Sequence, residues 1–413
     1  MAAVAALPLL AETPPLAPAP HRDLCTDCGV SRSSRASSCG RACQFIHPRY
    51  EALERQVHGR PRDVSRGDEA FFGPYRSMHR ARLRAPRPGA QWTGLTTRMA
   101  ERLLETGRVD AVLATASDPD DRWRPRPAII TRAEDMARCR GMKMGYSPVL
   151  ALLDECAARG YRRLAVVGVA CQVHALRALE AELGLEQLYV IGTPCSDNTT
   201  TERFHQFLSL LTDRPDEVTY LEFLADFRVE LRFSDGSHRF IPFLQLPIRD
   251  LPRDFFPTTC RACFDYTNSL SDVTVGYMGG EGDQWVLVRT ARGAECVALL
   301  GDEVALSAPG SRGSRTGAVR TFVTLLARSA GGLPVRGAPD WARPLIGWAQ
   351  RRFGPKGLEF ARTRVEMKMA EGILTLRHDR PHRMKRMIPD IAWRLVAPYG
   401  LTPQDGERVE GTA

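Results

Sequence analysis

Residues 164–195 read LAVVGVACQVHALRALEAELGLEQLYVIGTPC, and this stretch decides the fold class of the chain. The apolar run Leu164–Val169 predicts a buried strand. The periodic stretch Gln172–Leu183 predicts a helix, and Gln187–Gly192 predicts the next buried strand. A helix between two buried strands is typical of an α/β unit with a parallel sheet.

The same alternation of strands and helices extends to both sides of this stretch. Apolar runs before and after it predict further strands, and a Ser-Asp-Gly turn at 234–236 predicts a β-hairpin. The chain from Trp341 onward is mostly helical and basic in pattern. The additional predicted elements are helices Thr96–Gly107 and Pro148–Arg159, strands Ala111–Ala114, Val273–Gly276 and Trp285–Val288, and hairpin arms Tyr220–Phe233 and Ser237–Phe243.

Composition and charge limit the classes of function. The 413 residues are 43% hydrophobic and 25% charged, as in soluble globular proteins. No apolar run approaches the roughly 18 residues of a membrane-spanning helix, so no transmembrane segment is expected. The formal net charge of +9 fits either an arginine-rich surface or docking of an acidic partner. Nucleic acid is not an expected partner, because the basic residues are spread along the chain without a recognisable binding module.

Four cysteines lie in a short polar segment near the N-terminus. They are Cys25, Cys28, Cys39 and Cys43, spaced C-x2-C-x10-C-x3-C. The segment has little apolar periodicity, so a metal centre would have to hold it together. Four converging thiolates suit either zinc or an iron–sulfur cluster, and this segment alone leaves both open.

Four more cysteines are expected to form a second centre. Cys171 and Cys195 follow the two predicted strands, so both are expected at the carboxyl edge of the sheet, where open α/β sheets place their sites. Cys260 and Cys263 add a C-x2-C pair. Two such centres in one chain favour electron transfer over structural zinc, because two clusters can form a relay. The other cysteines have no paired partner in the sequence and are expected to be non-ligands: Cys139, Cys156 and Cys296.

Several motifs resemble the coenzyme F420 hydrogenase/dehydrogenase beta-subunit family, and most closely its photosynthetic branch of pigment reductases. The resemblance runs from the first cysteines to Gly354–Arg362 and covers nearly the whole chain. The motifs are QWTG (91–94), GVACQ (168–172), Leu176-Arg177, GTPC (192–195), Asp197-Asn198, Glu222-Phe223, Asp226-Phe227, CRACFDY (260–266) and GYMG (276–279).

The resemblance implies cofactors, partners and a reaction. It implies FAD and two [4Fe–4S] clusters, with Cys25, Cys28, Cys39 and Cys43 around one and Cys171, Cys195, Cys260 and Cys263 around the other. The implied reaction is the ferredoxin-dependent reduction of the 8-vinyl group of divinyl chlorophyllide or protochlorophyllide to ethyl, with electrons passing through the clusters to FAD. Alternatives are hydroxymethyl reduction on the same scaffold, a deazaflavin-dependent oxidoreductase subunit, and an electron-transfer subunit without a substrate of its own.

The chain departs from the family at three points. Ser31 stands where plant and cyanobacterial relatives carry a third early cysteine, so Cys39 would have to replace that ligand. His174 stands where relatives carry glutamine. The loop after Gly279 is short and ends at Gln284, as in bacterial vinyl reductases, whereas the plant hydroxymethyl reductase has a longer insert. This third difference favours the vinyl group as substrate.

Candidate flavin residues lie in several loops, because no G-x-G-x-x-G fingerprint follows a strand and a standard Rossmann FAD site is not expected. Backbone N–H groups before the helix at Thr96 are candidates for binding phosphate. Ordinary roles in a helix entry, a solvated loop or a helix cap are the alternatives. The candidate flavin residues are Gln91, Trp92, Thr93, Gly94, Lys143, Ser147, Gln172, Asp197 and Asn198. Candidate proton donors are Asp226, Tyr266, His174 and His205, with solvent as an alternative.

These interpretations give an α/β fold class with five regions. A layered mixed-sheet catalytic core (91–335) is expected to carry an N-terminal ferredoxin-like iron–sulfur segment (21–60) and a basic helical C-terminal tail (336–413). Residues 1–20 are expected to be a disordered extension, since they lack the features of a targeting peptide, and residues 61–90 a linker. A cytoplasmic location is expected. Peripheral membrane contact and a homo-oligomer are left open.

Overall fold

The computed structural model describes residues 24–252, 254–277, 279, 282–330, 338–339 and 341–408. The predicted disordered extension, residues 1–20, lies outside this range. The strands are β1 (Ser77–Leu83), β2 (Ala111–Ser117), β3 (Pro125–Ile130), β4 (Arg163–Gly168), β5 (Gln187–Gly192), β6 (Val218–Phe223), β7 (Arg228–Phe233), β8 (His238–Pro242), β9 (Val273–Tyr277), β10 (Gln284–Val288), β11 (Val304–Ser307), β12 (Ser311–Arg312) and β13 (Lys356–Gly357).

Helices cover both faces of the strands and form the C-terminal region. They are α1 (Cys39–Ala42), α2 (Tyr50–His58), α3 (Glu69–Phe72), α4 (Leu95–Glu105), α5 (Leu153–Ala158), α6 (Ala170–Leu179), α7 (Thr201–Leu211), α8 (Thr258–Arg261), α9 (Ala291–Ala298), α10 (Thr316–Ala330), α11 (Arg343–Phe353), α12 (Leu358–Asp379), α13 (Met384–Met387) and α14 (Asp390–Val396). Among the described residues, no helix has the length and apolar character needed to cross a membrane.

An eight-stranded mixed sheet in the order β11-β1-β10-β9-β5-β4-β2-β3 forms the centre of the fold. Strands β2, β4, β5 and β9 are parallel neighbours, and β3, β10, β1 and β11 flank them in antiparallel pairs. The parallel strands are mostly buried, as expected for strands with helices on both faces. The predicted mixed α/β core is confirmed, and β5 has the predicted bounds, while β4 lies one residue earlier than predicted.

The region predicted as a β-hairpin is a three-stranded antiparallel sheet in the order β6-β7-β8. The sequence predicts one arm over Tyr220–Phe233, but the chain reverses within it, between β6 and β7. Phe227 lies in that turn with a φ of 62° and is itself buried. The apolar pattern therefore continues through the turn and conceals the reversal.

Two further regions differ from the simplest sequence interpretation. Strand β1 lies inside the stretch predicted as a linker and pairs with both β10 and β11 in the main sheet. The predicted helix Pro148–Arg159 begins with the 3-10 turn Val149–Leu152 and becomes α-helical only in α5.

The C-terminal helices α12, α13 and α14 belong to the core, whereas α11 has no buried residue. Ala361, Met369 and Ile373 of α12 are buried together with Leu24 and Phe45 of the N-terminal segment in one apolar cluster. Each fully buried side chain of Met or Ile size stabilises the fold by about 1.5–3 kcal/mol. Helix α12 therefore fixes the N-terminal segment against the rest of the molecule.

Candidate functional site

The first thiol group consists of Cys25, Cys28, Cys39 and Cys43, which the fold brings together. Burial raises the pKa of the Cys28 thiol to about 12, and the nearby Cys43, Cys39 and Cys25 add to that shift. Cys39 begins helix α1, and Cys43 follows its last residue. Thiols that influence one another in this way share one small region, as the spacing of the motif predicts.

The loop that carries Cys25 and Cys28 is anchored on the turn Val149–Leu152. Leu150 N donates to Cys28 O at 3.0 Å. Gly29 adopts a φ of 110°, and a Cβ at this position would lie 2.3 Å from Ala151 N. Only glycine allows this close approach, so Gly29 sets the position of the loop.

His174 joins the N-terminal segment to helix α6. Its Nε2 accepts a hydrogen bond from Arg49 N at 3.3 Å, which leaves Nδ1 to donate to Ala42 O at 3.0 Å. The ring is fully buried, and burial lowers its pKa to about 4. Both nitrogens are occupied by backbone groups, so this predicted proton donor has neither a free proton nor a free lone pair to offer a substrate. The geometry makes His174 a positioning residue.

The second thiol group consists of Cys171, Cys195, Cys260 and Cys263, contributed by three separate parts of the chain. Cys171 lies in the first turn of α6, Cys195 follows β5, and the other two lie in and just after α8. Burial raises the pKa of Cys195 well above its ordinary value, and Cys260, Cys171 and Cys263 raise it further. These thiols therefore lie near one another after strands of the parallel sheet, and their role as cluster ligands stays a prediction.

The two thiol groups adjoin each other. Thr26, from the first cysteine loop, lies near Cys171, and its hydroxyl offsets part of the rise that burial causes in the pKa of that thiol. Gln44 Nε2 donates to Cys263 Sγ at 3.5 Å, and Tyr50 OH donates to Gln44 Oε1 at 2.5 Å. Gln44 immediately follows the last cysteine of the first group, so one side chain links both groups.

Lys368 on α12 places a buried ammonium group beside the second thiol group, and sequence reasoning missed it. Its Nζ donates to Asp197 Oδ1 at 2.6 Å and to Glu371 Oε2 at 2.9 Å. Burial disfavours the charge, but Glu371, Asp197 and Cys263 outweigh burial and raise the pKa of Lys368. A lysine on a long helix rich in charges of both signs gives no sequence signal of burial, since it resembles a solvated position.

The loop 140–147 is fastened to the second thiol group by residues predicted to bind flavin. Asn198 Oδ1 accepts from Gly145 N at 3.2 Å, and its Nδ2 donates to Gly145 O at 2.7 Å. Gln172 Nε2 donates to Ser147 O at 2.7 Å. Lys143 Nζ donates to two backbone carbonyls of its own loop, and burial lowers its pKa to about 8. The side chains of Asn198, Gln172 and Lys143 thus hold backbone, and the Ser147 hydroxyl accepts from Thr115 Oγ1 at 2.9 Å. A direct role of these residues in binding FAD stays a prediction.

The turn Gln91–Gly94 precedes α4 as predicted, and protein side chains satisfy its polar groups. Trp92 N donates to Glu222 Oε1 at 2.5 Å. Thr93 Oγ1 donates to Gln284 Oε1 at 2.8 Å, and Leu95 N donates to the same oxygen at 3.2 Å. Binding of phosphate by this turn stays a prediction.

The other candidate proton donors lie in different surroundings. Asp226 is exposed in the turn between β6 and β7, where Arg228 Nε donates to it at 2.6 Å. His205 Nε2 lies 2.9 Å from Asp121 Oδ2, with 43% of the side chain exposed. Tyr266 is buried beside the second thiol group, and burial raises the pKa of its hydroxyl. Of these three, Tyr266 is the one that the structure places at the thiols.

The remaining cysteines lie in apolar clusters. Cys156 and Cys296 are buried, and Cys139 packs against the same cluster as Cys296. All eleven cysteines fall within the described residues, and none forms a disulfide. Across the described ranges, no three His, Cys, Asp or Glu side chains are arranged to hold a single metal ion.

Two family models match the chain, and both describe the beta subunit of coenzyme F420 hydrogenase/dehydrogenase. The model of its N-terminal part matches residues 78–154, and the model of its C-terminal part matches residues 161–309. The second thiol group lies within these ranges, and the first lies outside them.

Curated relatives extend the similarity to most of the chain. The chain is 36% identical over 400 residues to the 7-hydroxymethyl chlorophyll a reductase of Oryza sativa subsp. japonica, which covers 94% of this chain and 84% of the relative. It is 36% identical over 383 residues to an uncharacterised protein of Nostoc sp. This match covers 92% of this chain and 95% of the relative. It is 25% identical over 221 residues to the beta subunit of coenzyme F420 hydrogenase from Methanosarcina barkeri. This match covers 50% of this chain and 71% of the relative.

A solved structure shares the fold. A chain of the F420-reducing [NiFe] hydrogenase complex from Methanosarcina barkeri aligns with a TM-score of 0.51 at 21% identity, covering 58% of this chain and 84% of that chain. The family models and the long match to the rice reductase lead to the same assignment. The chain belongs to the coenzyme F420 hydrogenase/dehydrogenase beta-subunit family, which has a chlorophyll reductase branch.

Proposed function

We propose that the chain is an oxidoreductase that takes electrons from reduced ferredoxin and reduces a ring substituent of a chlorophyll-type pigment. The proposed substrate group is the 8-vinyl group of divinyl chlorophyllide or protochlorophyllide, which becomes ethyl. The observation that supports the proposal is that the two thiol groups adjoin: Gln44, which follows Cys43, donates to Cys263 Sγ, and Thr26 lies near Cys171. Adjoining clusters would give electrons a short path from one group to the other.

The donor sets fit iron–sulfur clusters. Each thiol group offers four cysteines, which is the ligand set of a [4Fe–4S] cluster. When bound, the clusters supply one-electron transfer and FAD supplies two-electron chemistry. Lys368 places a buried ammonium near Cys263, and Asp197 and Glu371 share its charge, so the group is held close to the second thiol group.

The loops that we propose for FAD also meet one requirement of an anionic cofactor. Arg140 Nη1 donates to Pro88 O at 3.4 Å, so the loop 140–147 contacts the segment just before Gln91–Gly94. The Nε atoms of Arg87 and Arg140 are buried without a hydrogen-bond partner among the described residues. Both guanidinium groups also pair with Glu101. Their unpaired Nε donors suit an oxygen of the FAD pyrophosphate, since an unpaired buried donor costs free energy.

The choice of pigment substituent rests on the sequence. The short loop between Gly279 and Gln284 favours the vinyl group, as in the bacterial vinyl reductases that the chain resembles. The second candidate, reduction of a 7-hydroxymethyl group, is favoured by the 36% identity to the rice reductase over 94% of this chain. Vinyl reduction also needs a proton for one of the two carbons, and Tyr266 is the proposed donor because it is buried beside the second thiol group.

Anaerobic purification followed by a pigment assay tests the proposal. We expect about eight irons and eight sulfides per chain with bound FAD. Reduced ferredoxin should then convert divinyl protochlorophyllide to its ethyl product, as measured by chromatography, while 7-hydroxymethyl chlorophyll a stays unchanged. Turnover of only the hydroxymethyl pigment selects the second candidate. Zinc without iron in both thiol groups, or no turnover of either pigment, defeats the proposal.

A further inference from the structure

The segment between α12 and α14 carries positive charge that no acidic residue within it balances. Between Asp379 and Asp390 the chain has no aspartate or glutamate, and its lysines and arginines are Arg380, Arg383, Lys385 and Arg386. Lys385 and Arg386 are exposed on α13, and the half-buried Arg383 directly precedes that helix. We call Arg383, Lys385 and Arg386 the basic patch.

The basic patch has no ion-pair partner among the described residues. No described carboxylate pairs with any of its three side chains. The acids at the two ends of the segment are engaged elsewhere, Asp379 with Arg261 and Asp390 with Arg408. A cation without a nearby carboxylate leaves its field available to a partner molecule, so the patch is a source of positive potential at the surface.

Three arginines around the first cysteine loop are paired instead. Arg32 pairs with Asp27, Arg35 Nη1 lies 2.8 Å from Asp154 Oδ1, and the third pair is Arg41 with Glu182. The carboxylates cancel much of the positive charge of these arginines. The positive potential near the first thiol group therefore comes largely from the side of α13.

The basic patch lies beside the first thiol group. Arg383 Nη1 donates to Phe45 O at 3.2 Å. Phe45 and Met384 of α13 are buried in the same apolar cluster, and Cys43 packs against that cluster. Burial raises the pKa of the Cys43 thiol, and the Phe45 backbone offsets part of that rise. One residue, Phe45, thus contacts both the patch and a thiol of the first group.

The surface of the patch suits a protein better than a lipid bilayer. Met384 and Met387, the apolar residues of α13, are buried, and no large apolar side chain is exposed between residues 379 and 390. Helices that bind to a membrane surface insert an apolar face below the headgroups, and this segment has no such face to insert. Charge alone is therefore available for recognition, which suits an acidic protein surface.

We propose that the basic patch is the docking surface for the electron donor, an acidic one-electron iron–sulfur protein of the ferredoxin class. Opposite charges speed the encounter and orient the partner, so docking brings the donor next to Cys43. From there Gln44 leads to Cys263 of the second thiol group. The inference rests on the proposed function, because it takes reduced ferredoxin as the source of electrons, and it adds the surface at which they enter.

Equilibrium binding tests the patch without turnover of any pigment. The oxidised, cofactor-loaded protein is titrated with an acidic ferredoxin at an ionic strength of about 0.01 M, where the Debye length is about 30 Å. The double variant Lys385→Glu with Arg386→Glu should raise the Kd about tenfold, because attraction becomes repulsion at both positions. At about 1 M, where the Debye length is about 3 Å, this difference should disappear.

An adjacent pair of arginines on α11 provides the matched control. Arg351 and Arg352 are both exposed, and Arg351→Glu with Arg352→Glu changes the net charge of the protein by the same amount. This control should raise the Kd less than about threefold, since its charges lie on a different element from the patch. An equal rise in both double variants overturns the patch, because the effect then comes from net charge alone.

The other possible results also decide the question. An unchanged Kd in the patch variant overturns the patch, as does patch-dependent binding of anionic phospholipid vesicles with an unchanged Kd for ferredoxin. If the patch variant loses iron, Lys385→Gln with Arg386→Gln replaces it and should raise the Kd about threefold, and an unchanged Kd again overturns the patch.

The binding measurement also separates the patch from the proposed function. Ferredoxin binding that depends on the patch, in a protein that reduces neither pigment, supports the patch and defeats the proposed function. Failure of the unsubstituted protein to bind ferredoxin, while dithionite still drives pigment reduction, overturns the patch and leaves pigment reduction in place.

Discussion

The two thiol groups lie next to each other in the fold but are assembled from the sequence in different ways. The first comes from one short segment, residues 25–43, whereas the second is assembled from residues between 171 and 263 that surround the carboxyl edge of the sheet. The family models cover the second group and not the first. The sheet thus builds one group as part of the shared fold, and the other is a local unit that docks on it.

Because of this difference, the structural integrity of each thiol group depends on different contacts. The second group depends on the packing of the main sheet and α12. The first depends on its contacts with that core, including His174 and Gln44. Loss of the first group should therefore leave the catalytic core intact, while loss of the second should not.

Cys263→Ser should give the largest effect. It removes one thiol of the second group and puts a smaller hydroxyl where Cys263 Sγ accepts from Gln44, so the core and the contact between groups are both disturbed. We expect loss of FAD and loss of pigment reduction to background with either ferredoxin or dithionite as reductant. Iron, flavin and product analysis check this. Cys139→Ser, which changes a cysteine outside both groups, should retain all three.

Cys25→Ser should distinguish the role of the first thiol group from that of the second. Under the proposed function, the first group loses one cluster ligand and its segment loosens, since such a segment would depend on its metal. FAD should remain bound, ferredoxin-driven turnover should fall more than about tenfold, and dithionite should still support part of the activity through the second group. If this variant loses its flavin while Cys263→Ser keeps both flavin and activity, the proposed order of electron transfer is reversed.

Lys368→Met should lower the free energy of unfolding, because it disturbs the packing of α12 against the second thiol group. The substitution leaves Asp197 and Glu371 without their buried cation. Removing one partner of a buried ion pair costs about 3 kcal/mol of unfolding free energy. Urea unfolding measures the change. Lys385→Met, at an exposed position on α13, should stay within about 0.5 kcal/mol of the unsubstituted protein, and an equal loss in both variants contradicts the assigned role.

His174→Gln should give the smallest change in the free energy of unfolding, and only at acidic pH. Burial lowers the pKa of folded His174 to about 4, whereas an unfolded histidine titrates near 6.5. Below pH 6.5 the unfolded chain takes up a proton that the folded chain does not, so this residue reduces stability as the pH falls towards 4. The slope is about 1.4 kcal/mol per pH unit for this one group.

The glutamine variant should lose that contribution, because glutamine can still donate and accept but does not titrate. Urea midpoints between pH 7 and pH 4.5 measure the slope. His58, whose pKa burial also lowers to about 4, keeps its own contribution in the variant. His205→Gln, at a surface ion pair, is the control. An unchanged slope in His174→Gln means that His174 is not neutral in the folded protein.

The sequence predicts the parts of the fold whose pattern is local. Strand β5 is an uninterrupted apolar run, and its bounds are predicted correctly. Strand β1, SMHRARL, is missed because basic side chains interrupt its apolar pattern, and only its pairing with β10 and β11 makes it a strand. Likewise, Cys260 and Cys263 are visible as a motif, whereas Gln44 and Lys368 have no pattern of their own and become part of the site only through tertiary contacts.

The position of Lys368 has a consequence for the order of events during synthesis. All eight thiols of the two groups lie at or before residue 263, and the helix that covers the second group follows about a hundred residues later. At a translation rate of about 5–20 residues per second, that interval lasts roughly 5 to 20 seconds. During those seconds α12 has not yet been synthesised, so the second thiol group is uncovered. Iron and sulfide delivered in this interval reach the thiols without any later unfolding of the protein.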